Sequence, residues 1–209
     1  MLKREIKQVI ISLISELDFY FNENGFIRRC NSLIYTRKID GVIQKAEIVF
    51  FSNPSYHADA LAHIYPHIQI YIPSVNGTAK EFASHLIPSK WLDQFTIRQP
   101  IQIYSNSGAF YLLDVNDYES LKDQLLDFFK VYAMPLFNDL TSEKDYLLLY
   151  ESKDKRIIWD DNQYLYIAAT YLNNHGLNKA KEVIENRFGK KGLRKKYNEV
   201  FEYFEILEK

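Results

Sequence analysis

Cysteine is almost missing from this chain. Cys30 stands alone, which excludes an internal disulfide and any thiolate metal cluster and suits a reducing cytoplasm. Net charge is nearly absent too: 26 Lys and Arg against 27 Asp and Glu leave a formal charge of -1, with no global field to draw in nucleic acid or an anionic membrane. Partners must therefore be sought in local patches. The few glycines build no Gly-rich phosphate loop, no Gly-x-Gly-x-x-Gly opening a helix after a strand, and no Gly-x-Ser-x-Gly elbow, so the familiar nucleotide and hydrolase signatures are missing. Long apolar runs are lacking as well. The opening Met1-Leu2-Lys3-Arg4-Glu5 continues into a segment broken by Lys7, Gln8, Glu16 and Asp18, so neither a secretory signal nor a membrane span is expected.

What the chain has in excess is rings. Aromatics make up 15% of it, with 16 Tyr and 14 Phe, while the hydrophobic share of 47% and the charged share of 25% sit near globular averages. Such rings favour strands and the seams between sheet and helix, because they cover much area with few rotatable bonds. At 209 residues there is enough chain to bury a sizeable core.

Hydrophobic spacing divides the chain. Ile6, Val9, Ile10, Leu13, Leu17 and Phe21 recur at helical intervals, and Asn24-Gly25 ends that helix because glycine accepts the left-handed conformation. From Gly25-Phe26-Ile27-Arg28-Arg29 the pattern turns extended. Ile27-Arg28, Leu33 to Arg37 and Val42 to Phe51 read as a hairpin or meander with a turn at Asp40-Gly41. Further strands are expected at His67 to Ile72, bracketed by Pro66 and Pro73, at Gln102 to Tyr104 and at Ala109 to Leu113, with a short helix capped by Thr78.

After Asp114 helical periodicity takes over. Asn116 and Glu119 suggest a capping box, Pro135 closes or kinks the following helix, and Thr141 or Ser142, then Asp160 or Asp161, are set to cap later ones. Gly176 separates two helices, and Leu193 to Leu207 forms a last apolar stripe. The expected fold is α+β, an antiparallel twisted sheet packed against helices, with residues 1–150 as the sheet-and-helix domain and 151–209 as a helical hairpin plus one helix.

Side chains that could carry chemistry are few. His57, His63 and His67, with Asp59 nearby, are the one concentration of possible metal ligands and the basis for a metal-dependent enzyme reading. No recognised ligand spacing is matched, so ordinary loop and surface histidines are the simpler account, and no metal or cofactor is assigned. His85 and His175 are isolated. Cys30 beside Arg29 could be an activated thiolate, yet an early strand position makes it a small half-buried residue. Lys190, Lys191, Arg194, Lys195 and Lys196 form a basic cluster able to grip a phosphate backbone, or a solvated face balanced by Glu199, Glu202, Glu205 and Glu208.

The helix ending at Asn24-Gly25-Phe26, the strand Ser32-Leu33-Ile34-Tyr35-Thr36-Arg37, the strand Ile48 to Phe51, and the helix ending Tyr132-Ala133-Met134-Pro135-Leu136-Phe137 before Asn138-Asp139-Leu140-Thr141-Ser142 resemble a bacterial domain-of-unknown-function family of small α+β proteins. The resemblance covers about the first 150 residues and departs at Phe50-Phe51-Ser52, where the family often has a Gln-Lys-Ser-like stretch. It implies a sheet packed on helices with no established activity, and by analogy of fold an immunity-like or adaptor-like role. The sequence-level expectation is thus a cytoplasmic, non-catalytic domain that binds a protein partner through Tyr56, Tyr71 and Trp91, rather than nucleic acid or membrane.

Overall fold

Residues 2–100 and 110–209 are described by a computed structural model. Helices and an antiparallel sheet make an α+β fold, as the sequence leads one to expect. The strands are β1 (Ile27–Arg28), β2 (Ile34–Ile39), β3 (Val42–Ser52), β4 (Ala62–Tyr71), β5 (Ile97–Pro100) and β6 (Phe110–Leu112). Their order is β1-β2-β3-β4-β5, with β6 also paired to β4 through Ala62↔Leu112, His63↔Tyr111 and Ile64↔Phe110. The expected segment Gln102 to Tyr104, and Ala109, lie outside the described residues.

The chain divides into two compact units, the first Met1–Ile39, Ile43–Gln69 and Arg98–Asp139, the second Asp40–Val42, Ile70–Ile97 and Leu140–Lys209. A boundary near residue 150 coincides with the end of a helix, Glu143–Glu151, whereas the compact units part at Asp139 and Leu140.

The first unit begins with α1 (Lys3–Ser15) and α2 (Asp18–Glu23). One continuous helix was expected here, and the break comes where Glu16 and Leu17 donate to carbonyls three residues back and the Ser15 hydroxyl donates to Ile11 O at 2.8 Å. That tighter bonding ends the α-helical ladder, while Phe21 stays buried as its spacing demands. Gly25, at φ 76°, turns the chain into β1. Phe21 stacks on Tyr35 of β2 with ring centroids 3.8 Å apart and planes at 11°. The turn Asp40-Gly41 has positive φ at both residues and sets the β2–β3 hairpin. Tyr35, Gln44, Ala46 and Ile48 are buried along these two strands.

After a single 3₁₀ turn that Asp114 caps in place of the expected Asn116–Glu119 box, α5 (Tyr118–Phe128) runs into a π-helical turn at Phe129–Ala133 and then α6 (Met134–Asp139). Pro135 sits in the first turn of α6, where a missing N–H costs least. The Gln44 amide donates to Phe137 O at 2.6 Å and Arg37 Nη2 donates to Asn138 Oδ1 at 3.0 Å, which ties α6 to the buried face of β2 and β3.

β4 corrects the sequence reading. Pro66 was expected to precede the strand but lies inside it. The strand therefore starts five residues earlier than expected, and His63, Tyr65 and His67 become strand residues on one face.

The second unit is largely helical: α3 (Pro73–Ala83), α4 (Ser89–Leu92), α7 (Glu143–Glu151), α8 (Asp161–His175), α9 (Leu177–Phe188), α10 (Lys191–Lys196) and α11 (Asn198–Ile206). α3 starts at Pro73, whose fixed φ suits a first helical position, so Thr78 is mid-helix and donates to Asn173 Oδ1 at 2.7 Å instead of capping. Ser142 caps α7 and Asp160 caps α8, accepting from the backbone N–H of Asp145 and Gln163. The last stripe is split at Tyr197 into α10 and α11. A buried polar network runs from Asn76, which donates to Leu92 O and Phe95 O, through Thr96 to Gln163, which accepts from Tyr146.

Candidate functional site

Alternation along β3 and β4 sends two kinds of side chain to opposite faces. Even-numbered positions, including Gln44, Ala46, Ile48, Ala62, Ile64 and Ile68, are buried. The odd-numbered positions of β3 and β4 bring together Glu47, Val49 and Phe51 with His63, Tyr65 and His67, and the β4–β6 register sets Tyr111 opposite His63. This face is rich in rings and imidazoles. Centroid separations are 4.7 Å for His63–Tyr111, 5.1 Å for His63–Tyr65 and 6.3 Å for Phe51–His63.

The loop after β3 returns over this face. It leaves the strand at Asn53, which takes a positive φ of 46°, and carries Tyr56 to His63, where the phenol oxygen lies 2.6 Å from Nδ1. Around that contact is a hollow of about 650 Å³ lined by β3 and β4 side chains together with Pro54, Ser55 and Tyr56. The two outermost rings are Tyr56, 63% exposed, and Phe51, 52% exposed, whereas His63 is only 5% exposed.

Burial, with His57 adding to it, holds the His63 imidazole below its ordinary pKa, so the ring is neutral at pH 7. Partial desolvation and the phenols of Tyr111 and Tyr65 raise the Tyr56 hydroxyl, which stays protonated. A phenol proton given to Nδ1 leaves the neutral ring's own proton on Nε2. That nitrogen is buried and has no hydrogen-bond partner.

Deeper along the strands, Glu47 accepts from Gln69 and from Arg98 Nη2 at 3.3 Å. His67 Nδ1 is 3.7 Å from Glu47 Oε2, beyond hydrogen-bonding reach, and is buried without a partner. His67 nevertheless does most to hold the Glu47 carboxyl below the usual carboxylate range, and Arg98 adds to it against the cost of burial. Among the described residues no group of His, Cys, Asp and Glu is arranged to hold a metal ion. His57 instead packs on Tyr111 at 4.4 Å.

The other sequence-derived candidates fall elsewhere. Tyr56 belongs to the first compact unit, while Tyr71 and Trp91 belong to the second. Tyr71 is half-buried at the end of β4, and Trp91 is half-buried in α4 with its ring edge-on to Phe95 at 5.6 Å. In the basic cluster, Arg194 is engaged by Glu185 at 2.6 Å and lies over the Phe201 ring at 3.9 Å, and Lys196 reaches the Tyr197 hydroxyl at 3.1 Å. Lys190, Lys191 and Lys195 are exposed and form no ion pair among the described residues. Cys30 is an exposed turn residue, not a half-buried strand residue, because β1 ends at Arg28. His85 pairs with Glu199 at 3.1 Å, and His175 ends α8.

Sequence reasoning missed Phe51, Tyr65 and Tyr111 as neighbours of the histidines. The odd-position alternation of 63, 65 and 67 was visible, but Pro66 was taken to interrupt it. Comparison of the chain with family models, with curated proteins and with solved structures finds no match. Among the described residues no helix is long and apolar enough to cross a membrane.

Proposed function

We propose that this chain is a non-catalytic binding domain and that the face formed by β3, β4 and the Tyr56 loop is where it engages its partner. The observation that carries the reading is the pairing of exposed rings with a fixed support. Tyr56 is 63% exposed yet held by its hydroxyl to a buried imidazole, and Phe51 stands beside the same hollow. Rings presented this way bury large area on binding with little rotamer entropy to lose. The reading keeps Tyr56 from the sequence-derived surface and replaces Tyr71 and Trp91 by Phe51 and Tyr65. It is compatible with the immunity-like or adaptor-like role that the family resemblance implies.

The test is capture of near-stoichiometric partners by the tagged full-length chain, compared with Phe51→Ala and Tyr56→Ala. Both side chains are more than half exposed, so the variants retain their core and their urea transitions serve as the folding control. Loss of the captured species from both folded variants is the expected result. Capture that is unchanged in both removes this face from consideration.

A further inference from the structure

We infer that the hollow beside His63 takes a planar, uncharged heteroaromatic ring of the nucleobase class, stacked against the aromatic side chains of β3 and β4. The inference rests on the binding-surface reading above and goes beyond it by naming the occupant.

Ring walls are the first argument. Phe51 and Tyr65 meet edge to face with planes at 82°, His63 and Tyr65 at 76°, and Tyr56 and His63 at 82°. Faces set nearly at right angles let a flat ligand stack on one ring while its edge meets the next, the arrangement that aromatic pairs favour. At about 650 Å³ the hollow lies within the usual range for small-ligand sites, which is roughly 300–1,000 Å³.

Charge is the second. Apart from its two imidazoles, the lining among the described residues is Val49, Phe51, Ser52, Pro54, Ser55, Tyr56 and Tyr65, with no carboxylate, ammonium or guanidinium among them. A phosphate or a carboxylate would find no counter-ion here, whereas a neutral ring loses nothing on leaving water that hydroxyls and ring nitrogens cannot replace.

The third is the His63 ring itself, 95% buried by the complement of its 5% exposure, with Nε2 unpaired. Its enclosing rings include Phe51, exposed enough to change rotamer in picoseconds to nanoseconds while Tyr56 stays bonded to Nδ1. Such a change opens the unpaired Nε2 to the polar edge of a stacked heterocycle, which carries both hydrogen-bond acceptors and donors. An aliphatic protein side chain offers no such polar edge, and ribose has no planar π face to stack on the rings.

One class of ring can come from two sources, a free nucleoside or an unpaired base in a single strand. The experiment is titration of the full chain, followed by calorimetry, with adenosine, uridine, ribose and short oligouridine at two salt concentrations, repeated on Phe51→Ala, Phe51→Trp and Tyr65→Leu. Saturable nucleoside binding, no ribose binding, a loss of about 5- to 100-fold in Phe51→Ala and retention in Phe51→Trp are expected, in line with base–aromatic stacking. Nucleoside binding with little salt dependence assigns the free source. Binding of oligouridine alone, still lost in Phe51→Ala but weakened by salt, assigns the strand. Binding that ribose reproduces, or that survives both Phe51→Ala and Tyr65→Leu, overturns the inference, as does no binding by any probe. If no probe binds while Phe51→Ala and Tyr56→Ala still lose a captured partner, the ring proposal falls and the surface stands.

Discussion

Replacing His63 by Phe should make the protein more stable, and the reason lies in what the imidazole lacks. Its Nε2 is buried without a partner, a state that costs about 1–3 kcal/mol for a neutral donor. Against this, the bond to Tyr56 is lost, worth about 0.5–1 kcal/mol when the released hydroxyl can turn to water, as it can on a side chain 63% exposed. The Phe ring then sits among Phe51, Tyr65 and Tyr111, rings that already surround the imidazole. The balance is a gain of about 1 kcal/mol, or roughly 2–4 °C in Tm for a chain of this size.

A pH dependence accompanies it. Burial, and then His57, lower the folded pKa of His63 below the unfolded value of about 6.5, so as pH falls the unfolded chain takes up the proton first. The wild type loses stability as pH drops below that unfolded value, and His63→Phe loses less. The Tyr56 phenol, raised above its ordinary value by partial desolvation, does not titrate in that range. Urea and thermal melts at neutral pH and near pH 5 measure the gap between the two proteins, which should widen on acidification. A variant less stable than wild type by about 1 kcal/mol at neutral pH would show that the unsatisfied nitrogen is not the governing cost. A gap that does not change with pH would refute the lowered pKa.

Two further outcomes test the fold, one in each compact unit. Asp18 accepts both Arg28 Nε at 2.8 Å and Nη2 at 2.7 Å, and the Tyr35 hydroxyl lies 2.7 Å from the same carboxylate and from Ile14 O, its one proton shared between them. Asp18→Ala leaves the buried Arg28 uncompensated; since the Asp18 side chain is 37% exposed, the loss should be about 2 kcal/mol in urea unfolding, below the range for fully buried pairs. Asp160→Ala removes the cap of α8 and should cost about 1 kcal/mol, with Asp160→Asn near wild type in the same assay.

Local chemistry carried much of the architecture in the sequence. Asn24-Gly25 and Asp40-Gly41 announced a helix end and a hairpin because glycine and its polar neighbours alone tolerate the left-handed backbone there. Ser142 and Asp160 announced helix starts because a short polar side chain satisfies a backbone donor within its own turn. These signals act over a few residues, so a single sequence suffices to read them. Pro66 shows the limit: a proline reads as a break in a sequence, yet here it lies within β4. Tyr71, Trp91 and Arg194 show the same limit at side chains, since residue type proposes an anchor or a cation, while packing on Phe95 or pairing with Glu185 is decided by other parts of the chain. The sequence by itself determined the α+β class, the aromatic excess, the hairpin and the caps of α7 and α8. Only the tertiary structure decided that His63 is buried under Tyr56 and that Phe51, Tyr65 and Tyr111 gather around it, because strand pairing joins residues far apart in the chain.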